Sequence, residues 1–571
     1  MMSISKADSP SRFSHTLATY SRTVRKTRWQ QLFNYAVILV ILLVSANRSE
    51  VSIWGILDVP GGIINYLGRT VPNVSSGSLQ DSFVNWFWDF PTWLTLLFES
   101  LIMALVATIL GVLIALPLSF VAARNGVSHP VTRFLMWRIF QIARAVPEVA
   151  YALLFVFAFG PGALAGILAI AVHAVGALGK LFAEAHENVS MGTIAGLQST
   201  GARTSHIYMH GVFPQSLPEI ISYTLLRFEI NVRASAIIGM VGAGGIGQEL
   251  YFAIRQFHYT DISAIILMII GLVIIIDSLA STIRHRVIES SNHHVARSNP
   301  WGTYTPEYLI RKKNTQYRIS MLAAVSTTLI VVFASLSFTG VTMNQLFNGF
   351  SRLGFLVSHM FPPESGSRPT TLFAALIDTL AIAIFGTTLA VILALPLGFL
   401  GARNFISNRY VHQALRCLFD TLRSVDVLIW GIIFAGVVGL GPFAGVLAIA
   451  AADIGALAKL FADAIENVDR RQVEAIKSTG ACRFQEARFG YLPPVFPVML
   501  SQTLYFFEAN VRSASILGIV GAGGIGLYLS EALRIGEWQP VGYMILLILF
   551  LVIVTEYLCG KILKRVQSKI I

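Results

Sequence analysis

Two stretches of this chain concentrate the residue types most able to do chemistry. RFEINVRASAIIGMVGAGGIG, residues 227–247, and FFEANVRSASILGIVGAGGIG, residues 506–526, each place a carboxylate, a carboxamide and a guanidinium within five residues and end on clustered glycines. Glu229 and Arg233 are four apart, as are Glu508 and Arg512, so on a helix each pair shares a face and can form an ion pair. Charges inside apolar segments are costly and face either a partner or a polar pathway. Two roles stay open. One is a structural ion pair. The other is an arginine, set beside Asn231 or Asn510, whose planar fork grips an anionic substrate in the pathway.

The glycines raise a second question. Gly242, Gly244 and Gly247 fit G-x-G-x-x-G, the dinucleotide fingerprint, and Gly521, Gly523 and Gly526 repeat it. That chemistry requires a short strand before the glycines and an acidic residue about 20 positions on. Here a long apolar run precedes them, and the position matched to Asp261 in the second copy is Pro540. Read in an apolar context, Gly242, Gly244, Gly245 and Gly247, with Gly521, Gly523, Gly524 and Gly526, mark a helix break or a point of close backbone approach. Such a point is either a gate or plain tight packing.

The composition requires that context. Of 571 residues, 55% are hydrophobic and 13% charged, and mean hydropathy is +0.67. A chain this long and apolar is a polytopic membrane protein. Its net charge of +12 fits the Lys and Arg that collect in cytoplasmic loops, and nucleic-acid binding is not expected. Cys417, Cys482 and Cys559 have no metal or disulfide spacing. The basic segment before residue 31 leads into an apolar run without a cleavage site, which reads as a retained first span.

The chain is a tandem duplication. Asn231 and Asn510 are 279 apart, and the same offset relates Arg124-Asn125 to Arg403-Asn404, Pro117 to Pro396 and Lys180 to Lys459. Each copy predicts about six helical spans. They fall near 32–47, 93–122, 136–158, 163–184, 217–240 and 260–282, then near 319–338, 371–401, 415–437, 442–464, 496–519 and 541–560. The expected domains are a cytoplasmic arm (1–30), a first membrane domain (31–283), a cytoplasmic linker (284–318) and a second membrane domain (319–571). The distribution of Lys and Arg puts both termini and the linker in the cytoplasm. Parallel repeats place a pathway where the halves meet.

Between the fourth and fifth spans each copy carries a longer polar segment. In the second, Glu474-Ala475 is followed by Gly480, with Pro493 thirteen residues on; in the first, Gly201 and Pro214 have the same spacing. This resembles the EAA loop of ABC importer permeases, a short helix that docks on a cytoplasmic ATPase. The first copy departs from it, with Ala195 and Gly196 where the second has Glu474 and Ala475.

The E-x-N-V-R stretch before G-x-V-G-A-G-G-I-G, with A-R-N upstream, resembles more narrowly the phosphonate permeases of that class, over roughly 95–285 and 370–560. The resemblance implies an all-α type I importer fold and transport of a phosphonate, phosphite, hypophosphite or phosphate. It also implies a bacterial inner membrane, two cytoplasmic ATP-binding subunits that carry the ATP and Mg²⁺, and an extracytoplasmic binding protein. Fusion of the two domains removes the need for a homodimer. The chain has no phosphate-binding G-x-x-x-x-G-K-[ST], so no cofactor is expected in it, and it is read as a permease without enzymatic activity. The alternatives are a permease for another small solute such as methionine, or a secondary transporter. Arg144 and Arg423, near Glu148 and Asp426, predict local ion pairs, as do Lys180–Glu184 and Lys459–Asp463.

Overall fold

Long runs of Leu, Ile, Val and Ala in a membrane must satisfy their own backbone groups, and an α-helix does so within one segment. In a computed structural model every regular element among the described residues is helical. Those residues are 36–70, 79–125, 129–296, 337, 339–366, 368–406 and 408–567. The arm at 1–30, the linker from 297 to 318 and nearly all of the span expected at 319–338 lie outside them.

The first half contains α1 Ala36–Arg48, α2 Ile53–Thr70, α3 Leu79–Trp86, α4 Phe90–Ala122, α5 Pro130–Ala145, α6 Glu148–Phe159, α7 Ala163–Glu187, α8 Met191–Ser199, α9 Thr204–Ile207, α10 Phe213–Ile238, α11 Ile246–Arg255 and α12 Tyr259–Ala296. The second contains α13 Met343–His359, α14 Pro369–Gly401, α15 Arg409–Ser424, α16 Val427–Val438, α17 Pro442–Glu466, α18 Arg470–Lys477, α19 Arg483–Gln485, α20 Leu492–Leu517, α21 Ile525–Ile535 and α22 Trp538–Gln567. Helix α12 therefore continues thirteen residues into the segment expected to begin the linker.

Six helices (α4, α7, α12, α14, α17 and α22) are long and apolar enough to cross a membrane. Four bent helix pairs are further candidates, each a broken span or a re-entrant loop. The spans expected near 136–158 and 415–437 are each two helices, α5 with α6 at 86° and α15 with α16 at 89°. In the first copy the break falls at Pro147, which caps α6 and disfavours a helical residue before it. In the second no proline is present. There the Asp426 side chain caps α16 by accepting from Leu428 N at 2.9 Å. A hydropathy window sees one apolar run and misses both corners.

The halves embrace reciprocally. Helix α2 of the first half packs on α16 of the second, and α13 of the second packs on α6 of the first. Gly436 leaves room for Tyr66 in one contact, and Gly349 for Phe159 in the other. The main buried cluster is continuous across both halves, drawing on Val149, Ile167 and Ile238 from one and Leu428, Ile449 and Leu517 from the other.

Candidate functional site

The E-x-N-V-R residues sit in the last turns of α10 and α20, at the seam. Glu229 is buried and lies 3.1 Å from Arg233, and Arg512 lies 2.9 Å from Glu508. The i, i+4 pairs expected from spacing therefore form. Arg233 also donates to the Arg423 carbonyl across the seam at 3.0 Å, and Arg284 approaches Glu229 at 3.7 Å. Asn231 and Asn510 are buried and point into their own halves, where they donate to Thr108 Oγ1 at 2.8 Å and Thr387 Oγ1 at 2.9 Å. Asn510 additionally meets Asp453 at 2.5 Å.

Other charges close the seam. Arg144 and Arg423 do not pair with nearby Glu148 and Asp426 as expected. Arg144 reaches Glu556 of the second half at 2.5 Å, and Arg423 reaches Asp277 of the first at 3.2 Å. Glu556 is the 279-offset match of Asp277, so the two bridges are one contact made twice about a pseudo-two-fold axis. Arg144 also lies 3.7 Å from Glu508. Sequence spacing finds i, i+4 partners, but nothing in it links residues more than 100 apart. Lys180–Glu184 forms as expected at 3.9 Å. Lys459 instead bonds Asp420 at 2.5 Å, and Asp463 is taken by Arg416 at 2.6 Å. In the first half alone, Glu148 lies 2.6 Å from Arg227 and 2.5 Å from His173.

The glycine segment is a turn between α10 and α11, and its copy lies between α20 and α21; the paired helices bend by 48° and 52°. Gly242, Gly244 and Gly245 have φ of 93°, 81° and 72°, and Gly521, Gly523 and Gly524 repeat them at 89°, 77° and 78°. Side chains rarely adopt that region. At Gly247 a Cβ would sit 1.8 Å from the Ala236 carbonyl, and at Gly526 it would sit 2.2 Å from that of Ser515, so close packing holds there as well. Each turn is tethered. Ser100 Oγ accepts from Ile246 N at 3.0 Å, and Thr379 Oγ1 accepts from Ile525 N at 2.9 Å.

Beside these turns lies a cavity of ≈ 590 Å³ lined by both halves, with Ile237, Met240 and Val241 facing Ile516, Ile519 and Val520. None of Glu229, Asn231, Arg233, Glu508, Asn510 or Arg512 lines it. Arg233 and Arg512 each precede a lining isoleucine by four residues, so they lie about 6 Å further along the same helix face.

The polar loops form short helices. Helices α8 and α18 bury one residue each, Ile194 and Val473. Both stop at a glycine of positive φ, Gly201 at 73° and Gly480 at 80°, as helix C-termini commonly do. Pro214 and Pro493 stand in the first turns of α10 and α20, directly after the π-helical turns Tyr208–Val212 and Glu486–Tyr491 that run into those helices. Glu474 and Ala475 are exposed. So are Met191, Met209, Phe484 and Phe489, each over half accessible. The A-R-N motifs have a structural task, since Asn125 and Asn404 donate to carbonyls of α7 and α17 at 2.5 and 2.7 Å.

A helical duplication around a shared cavity, with a short exposed helix in each half, fits a transport permease. The chain belongs to the family of binding-protein-dependent transport system inner membrane components, whose model matches residues 115–289 and 394–568. It is similar to the phosphate-import permease protein PhnE of Mycolicibacterium smegmatis, 34% identical over 82% of this chain and 84% of that one. It is also similar to the phosphite transport system permease PtxC of Stutzerimonas stutzeri, at 34% over 45% of this chain and 89% of that one. The putative cryptic phosphonate transport permease PhnE2 of Escherichia coli is 43% identical over 21% of this chain and 100% of its own length. The chain is thus a multi-pass membrane protein of the ABC importer permease type.

Proposed function

We propose that this chain is the membrane subunit of an ATP-driven importer for a phosphorus oxyanion, its two halves enclosing one pathway. The observation that carries this is the cavity lined by matched residues of two family domains in one chain. Relatives named for phosphate, phosphite and phosphonate share one chemistry, a compact tetrahedral phosphorus centre bearing anionic oxygens. Two cytoplasmic ATPase subunits, carrying ATP and Mg²⁺, dock on α8 and α18. An extracytoplasmic binding protein delivers the anion, and both termini lie on the cytoplasmic side of a bacterial inner membrane. The chain itself hydrolyses nothing.

Transport follows from two states. With the Arg144–Glu556 and Arg423–Asp277 bridges made, the halves are held together on the side of the seam away from the cavity. When the ATPase subunits move the docking helices, the halves rock and the bridges part. Arg233 and Arg512, a turn beyond the cavity, are then free to exchange Glu229 and Glu508 for the passing anion. The glycine turns are the hinge of that motion.

The test is ATP-dependent uptake by the reconstituted complex of this chain, its ATPase subunits and its binding protein. Labelled phosphate, phosphite and methylphosphonate are offered separately. Saturable uptake of at least one, abolished without ATP, is the expected result. Uptake of methionine with none of the three overturns the substrate class, and uptake driven by an ion gradient without ATP overturns the mechanism.

A further inference from the structure

The cavity between the halves holds two charged residues, and both are arginines. Arg255 of α11 and Arg534 of α21 line it at positions 279 apart, amid a wall that is otherwise aliphatic and aromatic with the hydroxyls of Tyr66, Tyr251, Tyr259 and Ser530. Both side chains are exposed. Neither has a carboxylate partner among the described residues, although nearly every arginine along the seam does. Arg255 is held in place. Its Nε donates to Tyr251 Oη at 3.0 Å, and its guanidinium lies 5.2 Å from the centre of the same ring. That fixes the stem and leaves the two terminal nitrogens, the fork that suits an oxyanion. Each half therefore supplies one guanidinium, and the hydroxyls come mostly from the first half, since Ser530, matched to Tyr251, donates to the Leu527 carbonyl at 2.8 Å.

Arg255 and Arg534 bring matched positive charge, without a carboxylate partner among the described residues, to an otherwise apolar lining, and an oxyanion is the ligand that such a pair of forks suits. Arginines placed symmetrically in a pore select anions such as phosphate. We propose that Arg255 and Arg534 jointly receive the phosphorus oxyanion in the cavity before it crosses the apolar floor of Met240, Val241, Ile519 and Val520, with Tyr251, whose Oη accepts from Arg255, donating its own proton to a remaining oxygen. This rests on the import reading above and names a receiving site distinct from the Glu229–Arg233 and Glu508–Arg512 pairs, which lie beyond that floor.

The experiment uses the full complex in vesicles of phosphatidylcholine and measures uptake of phosphate, phosphite and methylphosphonate against concentration. Wild type is compared with Arg255→Ala, Arg534→Ala, the double variant and the double lysine variant, and retained ATPase subunits show that each has assembled. A charge-assisted hydrogen bond is worth enough that each alanine should lower kcat/KM by about 10-fold, and the pair by about 100-fold. The lysines should recover part of the loss, because charge returns without the fork. Wild-type kcat/KM in the double alanine variant overturns the proposal while leaving the import reading intact. A wild-type complex that moves none of the three anions removes the import reading and the site with it. Two further outcomes also overturn the site. A defect seen only when phosphatidylglycerol is added would assign the arginines to lipid headgroups. A defect that disappears at saturating binding protein would assign them to docking.

Discussion

The two halves share their interface and differ in their interiors. The Arg144–Glu556 and Arg423–Asp277 bridges, the tethered glycine turns and the asparagine–threonine bonds recur at a constant offset. The Glu148–His173–Arg227 cluster does not recur, since Val427, Ala452 and Phe506 occupy the matched positions. In the other direction, Asp453 joins Asn510 in the second half where the first has Ala174. In a homodimer every buried charge would appear twice. Fusion lets one copy hold a buried ionic cluster while the other packs with apolar side chains. The contacts kept in both copies include those where the halves meet and where the chain turns beside the cavity, together with the asparagine bonds that hold each half's own helices.

The sharpest way to break that contrast is to remove Glu148. Glu148→Ala leaves Arg227, 8% exposed, and His173 without their carboxylate. Stripping one partner from a buried pair costs about 3–5 kcal/mol. Val427→Ala, at the matched position, removes only methyl groups and should cost about 1 kcal/mol. Unfolding midpoints of the two variants in detergent measure the gap. Equal losses would mean that the first-half cluster is no more than a packing feature.

A smaller asymmetry concerns the asparagines. Asn510→Ala removes the partner of a buried carboxyl, Asp453, as well as that of Thr387, and should cost about 1–3 kcal/mol. Asn231 bonds only Thr108, and its Oδ1 is buried without a partner among the described residues. Asn231→Ala should therefore cost at most about 1 kcal/mol. The same unfolding assay separates them, and a larger loss at Asn231 would show that the halves are stabilised differently from the way their hydrogen bonds indicate.

Much of this was legible in the sequence. Offset matching finds the duplication, and periodic Glu–Arg spacing finds the pairs inside α10 and α20. Gly201, Gly480, Pro214 and Pro493 mark the limits of the short exposed helices. Three kinds of feature were not legible. The right-angle corners at Pro147 and Asp426 hide inside continuous apolar runs, because hydropathy counts side chains and not backbone direction. The cross-half bridges join residues that only the packing of one half on the other brings together. Arg255 and Arg534 read as ordinary charges at helix ends until the cavity between the halves takes both into its lining. Their shared offset of 279 is the signal the sequence holds for them, since neither belongs to a motif.

The smallest expected effect separates α8 and α18, the two helices proposed to dock the ATPase subunits. Helix α18 carries Arg470, Arg471, Glu474 and Lys477, whereas α8 carries no charge. An ATPase surface meeting α18 gains screened ionic contacts, and one meeting α8 relies on Met191 and its neighbours. Cys482, exposed beside α18, is a native reporter for one loop. Arg203→Cys in a Cys482→Ser background reports on the other. Maleimide labelling of both, with Cys417 replaced by serine, should fall when ATPase subunits bind. Raising salt from about 0.05 to about 0.5 M shortens the screening length from roughly 14 to roughly 4 Å, and surface pairs are worth about 0.2–1 kcal/mol. Protection at Cys482 should then weaken about two- to fivefold while protection at position 203 holds. If both sites respond alike, the ATPases contact the two loops through the same chemistry, and the divergence of α8 from α18 has no bearing on docking. If neither is ever protected, the short exposed helices are not where the ATPases bind.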